Sequence, residues 1–238
     1  MKIKVLADAD SVALAGAAHI AAEARSAVRA HGRFVLAVSG GHTSRQMLRA
    51  LAVQEVPWDR LQVVQVDERI APLGHPDRNL TYLNENLLEH SPLRDKQIHA
   101  MPVESPDLDA AAAGFAQRLS EIAGSPPVFD LVHLGLGPDG HTASLVPGDP
   151  VLDVTDSAVA LTGMYQGRRR MTLTYPVLNR SRHILWIVCG GEKAGMLARL
   201  RAGDMSIPAG RVNRKLALIL ADRAAGGPDM TEVREELP

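Results

Sequence analysis

Histidine is the side chain whose charge changes nearest neutral pH. One of the nine in this 238-residue chain sits in an unusual run, Gly135-Leu136-Gly137-Pro138-Asp139-Gly140-His141. The run follows a short apolar stretch, Leu131 to Leu134, which places the imidazole just beyond the end of a strand. Gly135, Gly137 and Gly140 permit close backbone approach around the ring, and Asp139 stands two residues from it. A histidine can simply hydrogen-bond a loop carbonyl, but three glycines, a proline and an aspartate packed around this one favour a working acid or base.

Other residues suit a negatively charged partner. The apolar run Phe34 to Val38 leads into Ser39-Gly40-Gly41-His42-Thr43-Ser44 and then a helical pattern. A strand that turns through glycines into a helix aims several backbone N–H groups at one spot, where the helix dipole favours negative charge. A phosphate or carboxylate fits such a turn, the alternative being a plain tight turn with Thr43 or Ser44 as helix cap. The pattern is neither a Walker A loop nor a dinucleotide fingerprint. Asp67-Glu68-Arg69 closes the run Gln62 to Val66, and open parallel sheets bind ligands beyond the carboxyl ends of strands. Taken locally, these three charges read as a solvated loop with an exposed ion pair of little worth. Arg170, at the end of Arg168-Arg169-Arg170, and Lys193, in Gly190-Gly191-Glu192-Lys193, are suitable phosphate partners. Arg168 and Arg169 read as solvated charge, whereas a lysine at a helix N-terminus is unfavourable unless an anion lies nearby.

The elements that must position these residues alternate. Short runs rich in Val, Ile and Leu predict strands at Ile3 to Leu6, Phe34 to Val38, Gln62 to Val66, Leu131 to Leu134, Ile184 to Cys189 and Leu216 to Leu220. Helices are predicted over Ser11 to Ala30, Ser44 to Leu51, Leu80 to Leu88, Leu108 to Ile122 and Lys193 to Leu200. The alternation gives an α/β fold: a Rossmann-like, mainly parallel sheet flanked by helices on both faces. No repeat or linker divides the chain, so residues 1–225 are expected as one domain, with 226–238 a flexible tail.

Composition excludes several classes. A formal net charge of -1 and a pI near 6.8 leave no broad basic footprint for nucleic acid. One cysteine, Cys189, rules out an internal disulfide and fits a reducing, cytoplasmic setting. No run is apolar for long enough to span a bilayer. Neither His-Glu-x-x-His nor a spaced Cys/His cluster occurs, so no metal and no cofactor are expected.

In order, Ser39-Gly40-Gly41, Asp67-Glu68-Arg69, Gly135 to His141 with Thr142-Ala143-Ser144, Arg170 to Thr174 and Gly191-Glu192-Lys193-Ala194 resemble the 6-phosphogluconolactonase family, over about Phe34 to Leu220. The resemblance implies a glucosamine-6-phosphate deaminase-like fold. It also implies a carboxylic ester hydrolase that opens 6-phospho-D-glucono-1,5-lactone to 6-phospho-D-gluconate in the oxidative pentose phosphate pathway. His141 would be the general base, with Asp67 catalytic beside it. Ser39, Gly40, Gly41, Thr43, Arg69, Arg170 and Lys193 would hold substrate and its phosphate, supported by Glu68, Asp139 and Gly140. Neither Ser39 nor Cys189 is expected as a nucleophile, and either Asp67 or Asp139 could orient the imidazole. The related deaminases place a glutamate five residues after the turn histidine, where this chain has Val146. An apolar side chain cannot relay protons, which disfavours deamination; a non-catalytic sugar-phosphate sensor is the other alternative. The lactonases commonly read Ser-Leu-Phe-Pro where this chain has Ser144-Leu145-Val146-Pro147, which implies changed packing at the pocket. The partner expected is a small sugar-phosphate lactone, with no nucleic acid and no membrane, bound by a monomer or small homo-oligomer.

Overall fold

The structure, a computed structural model, describes residues 1–227. Its elements run β1 (Lys2–Leu6), α1 (Ala9–His31), β2 (Phe34–Val38), α2 (His42–Ala52), β3 (Leu61–Gln65), β4 (Asp67–Arg69), α3 (Asn79–Asn86), β5 (Ile98–His99) and α4 (Leu108–Ala123). They continue β6 (Leu131–Gly135), β7 (Val159–Leu161), β8 (Arg170–Leu173), α5 (Tyr175–Arg180), β9 (His183–Val188), α6 (Ala194–Ala202), β10 (Ala217–Asp222) and α7 (Arg223–Gly226).

Seven strands form one sheet in the order β1-β10-β9-β6-β2-β3-β5, and every pair in it is parallel. Parallel strands are buried on both faces, and β2 is buried along its whole length. Phe34, Leu36 and Val38 pack beneath Val12, Ile20 and Met47 of α1 and α2. Val35 and Ala37 face Phe115 and Leu119 of α4 and Leu197 of α6. Helices therefore cover both faces, as the alternation of runs predicts. α1 shows how locally the chain encodes this layer: Asp8 caps its N-terminus by accepting from Ser11 N–H at 2.8 Å, and Gly32 ends it in the left-handed conformation at φ 81.

The large sheet has a switch point. β2 connects onward to β3 on one side, while the next large-sheet strand after β6 is β9, on the other. The crevice outside the carboxyl ends of β2 and β6 is where a doubly wound sheet binds its ligand.

Sequence and structure part at a second, three-stranded antiparallel sheet, β4-β8-β7. The run expected to be a strand to Val66 ends at Gln65, because Val66 changes sheets. Its N–H donates to Val38 carbonyl at 2.9 Å, and its carbonyl accepts from Leu173 N–H at 2.8 Å. Asp67-Glu68-Arg69 then forms β4. The prediction of a solvated loop fails here: Asp67 is 5% and Glu68 0% exposed. Helix α6 starts at Ala194, one residue later than expected, after a single 3-10 turn over Gly191–Lys193. The tail expectation lies, from residue 228 on, outside the described residues.

Candidate active site

Two close approaches explain why glycine stands in both loops at the switch point. A Cβ on Gly40 would fall 2.0 Å from Asn79 Oδ1, and one on Gly137 would fall 2.1 Å from His141 Nδ1. At the second loop, Gly137 N–H donates to His141 carbonyl at 2.9 Å and Gly140 N–H to Gly137 carbonyl at 3.0 Å, which folds the turn back on itself.

That turn fixes the imidazole. Asp139 Oδ1 accepts from His141 N–H at 3.1 Å and lies 2.5 Å from Nδ1, while Asp139 Oδ2 accepts from Tyr165 hydroxyl at 2.8 Å. Tyr165 also meets the ring edge-on, with centroids 5.4 Å apart. Burial opposes ionisation of Asp139, but the hydrogen bonds from His141 and Tyr165 outweigh it and hold the carboxyl below its ordinary value. Burial, then the neighbouring Asp139, pushes the Tyr165 hydroxyl up to about 12, so it remains a donor. In the neutral ring, a carboxylate against Nδ1 favours the proton there and leaves the lone pair to Nε2. Asp139, not Asp67, therefore orients His141.

Tyr165 arrives on the hairpin between β7 and β8, whose turn residues Gln166 and Gly167 take φ of 49 and 78. These two positive values are those of the tight hairpin turn that matches strand twist. The hairpin is clasped to the loop after β4: Arg168 donates to Asp77 Oδ2 at 2.9 and 3.1 Å. Arg168 is thus an anchor and not free charge, and Arg169 Nε donates to Thr162 carbonyl at 3.3 Å.

The second sheet supplies the remaining polar wall. Asp67 Oδ2 accepts from Ser144 hydroxyl at 2.6 Å and Oδ1 from Asn79 Nδ2 at 3.1 Å. Glu68 accepts from the N–H groups of Asn79 and Leu80 at 2.7 and 2.8 Å and pairs with Arg78 at 3.0 Å, so it caps α3 beneath the site. Arg69 stands opposite Arg170 in the β4–β8 register. Like charges directly opposed on neighbouring strands destabilise a sheet, and the Nε atoms of both arginines are buried without a partner among the described residues. An anion in the cavity would relieve both conditions. Burial lowers the pKa of Arg170, whose guanidinium lies 4.9 Å over the Tyr165 ring.

Ser39, Gly40, Gly41, Thr43, Asp67, Arg69, His141, Arg170 and Lys193 all border one cavity of about 240 Å³. The structure therefore brings together the expected substrate-holding residues with His141. The N-cap of α2 is Gly41, with no side-chain cap hydrogen bond among the described residues, and the N-terminus of the helix opens here. Glu68 and Asp139 support from behind. Ser39 borders the cavity and is also tied inward: its hydroxyl donates to His133 carbonyl at 3.0 Å and its N–H to His133 Nδ1 at 3.3 Å, so both donors are already engaged. Val146 is 4% exposed and absent from the cavity wall among the described residues. Sequence reasoning missed Asn79, Tyr165 and the part played by Ser144. Only the Gln166-Gly167 dipeptide, a hairpin signal between Tyr165 and the arginines, could have pointed to Tyr165.

A glycine-lined cavity at the switch point of a doubly wound sheet, cationic and centred on an oriented imidazole, defines an α/β protein built to bind a small anion and move protons beside it. Residues 7–220 match the family described as glucosamine-6-phosphate isomerases/6-phosphogluconolactonase, and the chain belongs to that family. The 6-phosphogluconolactonase of Synechocystis sp. is 35% identical over 208 residues, covering 84% of this chain and 86% of that protein. The crystal structure of 6-phosphogluconolactonase from Thermotoga maritima superposes with a TM-score of 0.82 at 27% identity, covering 93% of this chain and 98% of that one. A monomeric glucosamine-6-phosphate deaminase shares the fold, with a TM-score of 0.83 at 18% identity over 94% of this chain and 98% of that one.

Proposed function

We propose that this chain hydrolyses 6-phospho-D-glucono-1,5-lactone to 6-phospho-D-gluconate, the lactone-opening step of the oxidative pentose phosphate pathway. The observation that carries the reading is the 2.5 Å contact between Asp139 and His141 Nδ1 at the wall of a cationic cavity. It leaves Nε2 to take a proton from water as the water attacks the C1 carbonyl. The imidazolium so formed lies against Asp139 and returns its proton to the departing ring oxygen. A positioned base of this kind contributes about 10²–10⁴-fold in rate, which suffices for a strained ester without a covalent intermediate. Ser39, with its hydroxyl held by His133, is unsuited to act as nucleophile.

The substrate phosphate sits against the uncapped N-terminus of α2, from Gly40 to Thr43, and Lys193. Arg170 lies at the Tyr165 end of the cavity, and we assign it with Arg69 to the charge that develops on the carbonyl oxygen. Asp67, held by Ser144 and Asn79, accepts from a sugar hydroxyl. No helix among the described residues is long and apolar enough to cross a membrane. Cys189 is a free, buried thiol, which suits a cytoplasmic setting.

The test follows lactone disappearance against its spontaneous background, with ammonia release from glucosamine-6-phosphate measured in parallel. Wild type is expected to accelerate the first and to give none of the second. His141→Gln should lower kcat about 10²-fold or more while product affinity stays within a few-fold. An unchanged kcat, or ammonia as the main product, would overturn the reading.

A further inference from the structure

β2 and β6 pair backbone to backbone over a short stretch, Leu36 with Leu131 and Ala37 with Val132. That ladder is bracketed by the side chain of the residue just before β6 at one end and by one within β6 at the other. Toward the amino end, Asp130 Oδ2 accepts from Val35 N–H at 2.8 Å. Toward the carboxyl end, where the cavity opens, His133 Nδ1 accepts from Ser39 N–H at 3.3 Å, and Ser39 Oγ donates to the His133 carbonyl at 3.0 Å. The two strands separate here with an imidazole in place of the next rung.

His133 is an expensive residue in this position. It is fully buried, on the sheet face where its strand neighbour two residues back, Leu131, and its partner in β9, Leu185, belong to the apolar layer beneath α1 and α2. Its Nε2 is buried with no hydrogen-bond partner among the described residues. A buried polar atom left unpaired costs free energy that an aliphatic side chain would not incur. What the ring supplies in return is Nδ1, an acceptor aimed at the first residue of the glycine loop.

We propose that His133 is a positioning residue for substrate: neutral, with its proton on Nε2, it sets the separation of β2 from β6 and so holds the Gly40–Thr43 loop and the N-terminus of α2 in place for the phosphate. This rests on the reading of that loop as the phosphate site. Burial alone holds the imidazole neutral, pushing its pKa down to about 4. Ser39 follows as an adaptor, whose two donors are spent on β6 so that the glycines after it face the cavity.

Two variants separate this role from simple packing. His133→Leu keeps bulk and apolar burial but removes the acceptor; His133→Asn returns an acceptor at the position of Nδ1. With His133→Leu, KM for the phosphorylated lactone should rise about tenfold, the size of one net hydrogen bond. Its kcat should stay within about twofold, and KM for unphosphorylated gluconolactone should move much less; His133→Asn should recover most of the loss. An unchanged KM in folded His133→Leu, equal losses on both lactones, or no recovery in His133→Asn would overturn the proposal. Should His133→Leu fail to fold, a long-range ¹H–¹⁵N spectrum of histidine-labelled wild type at pH 7 decides. A neutral Nε2–H tautomer is expected, and an Nδ1–H tautomer or an imidazolium overturns it. Lys193→Ala serves as control for the underlying reading: if it leaves the preference for phosphorylated lactone intact, the phosphate site itself is misplaced, whatever His133 does.

Discussion

His141 can offer a lone pair to the cavity because Asp139 occupies its other nitrogen, and Asp139 is itself held from the far side by Tyr165. The three groups form a chain whose last member is not among the residues that border the cavity, yet bonds the carboxylate that holds the ring. Removing the tyrosine hydroxyl leaves Asp139 ionised but one hydrogen bond poorer. Tyr165→Phe is therefore expected to lower kcat about fivefold, the equivalent of roughly 1 kcal/mol, with KM little changed; steady-state kinetics checks this, and an unaltered kcat would remove Tyr165 from the chain. At this scale the sequence was informative wherever chemistry and backbone geometry coincide. His141 stood out because glycines crowd around it, and Asp139 because it lies two residues away. Tyr165, Asn79 and Ser144 did not, since their value comes from partners 12 to 77 positions distant, and nothing in their local sequence marks a pairing of that range.

Between residue and fold stands the small sheet β4-β8-β7, which the sequence did not reveal. Its strands have only three or four residues, and β4 consists of three charged residues, a composition that strand propensity disfavours. Tertiary partners override that propensity: Glu68 is enclosed by Arg78, Gln65 and two N–H groups of α3. The long elements of the large sheet were legible because burial on both faces demands continuous apolar runs. Glu68 is also the point where the small sheet grips α3. Arg78 is 1% exposed and also pairs with Glu104 at 2.5 Å, so removing the Glu68 charge weakens a charged hydrogen bond without leaving the cation alone, an effect of about 1.5–3 kcal/mol. Glu68→Gln keeps the shape and part of the cap, and is expected to lower Tm by roughly 3–12 °C. Thermal unfolding followed by circular dichroism measures it, and a shift under 2 °C would show that the pair contributes little.

Across the whole molecule, two buried histidines tie stability to pH. Burial pushes both His133 and His99 down to about 4, Arg118 adding to the effect at His99. An unfolded chain binds these protons near pH 6.5, whereas the fold refuses them until about 4. The contribution of these two groups to stability is thus complete above about pH 6.5 and is lost as the pH drops toward 4. Urea midpoints should decline from pH 7 to 4.5, with a shallower slope in His99→Gln; a midpoint constant over that range would contradict the burial of these rings in solution.

The chain is nearly neutral, with a formal net charge of -1, yet Arg69, Arg170 and Lys193 all open onto one cavity. Neutrality overall and concentration of positive charge in one cleft together make a short-range electrostatic lens. A doubly charged sugar phosphate diffusing past the mouth would be drawn inward over roughly the 8–10 Å that salt leaves unscreened. In the proposed mechanism the opposed arginines act before any bond changes: they raise the frequency of productive encounters, an advantage that fades with ionic strength and leaves the later proton transfers at His141 untouched.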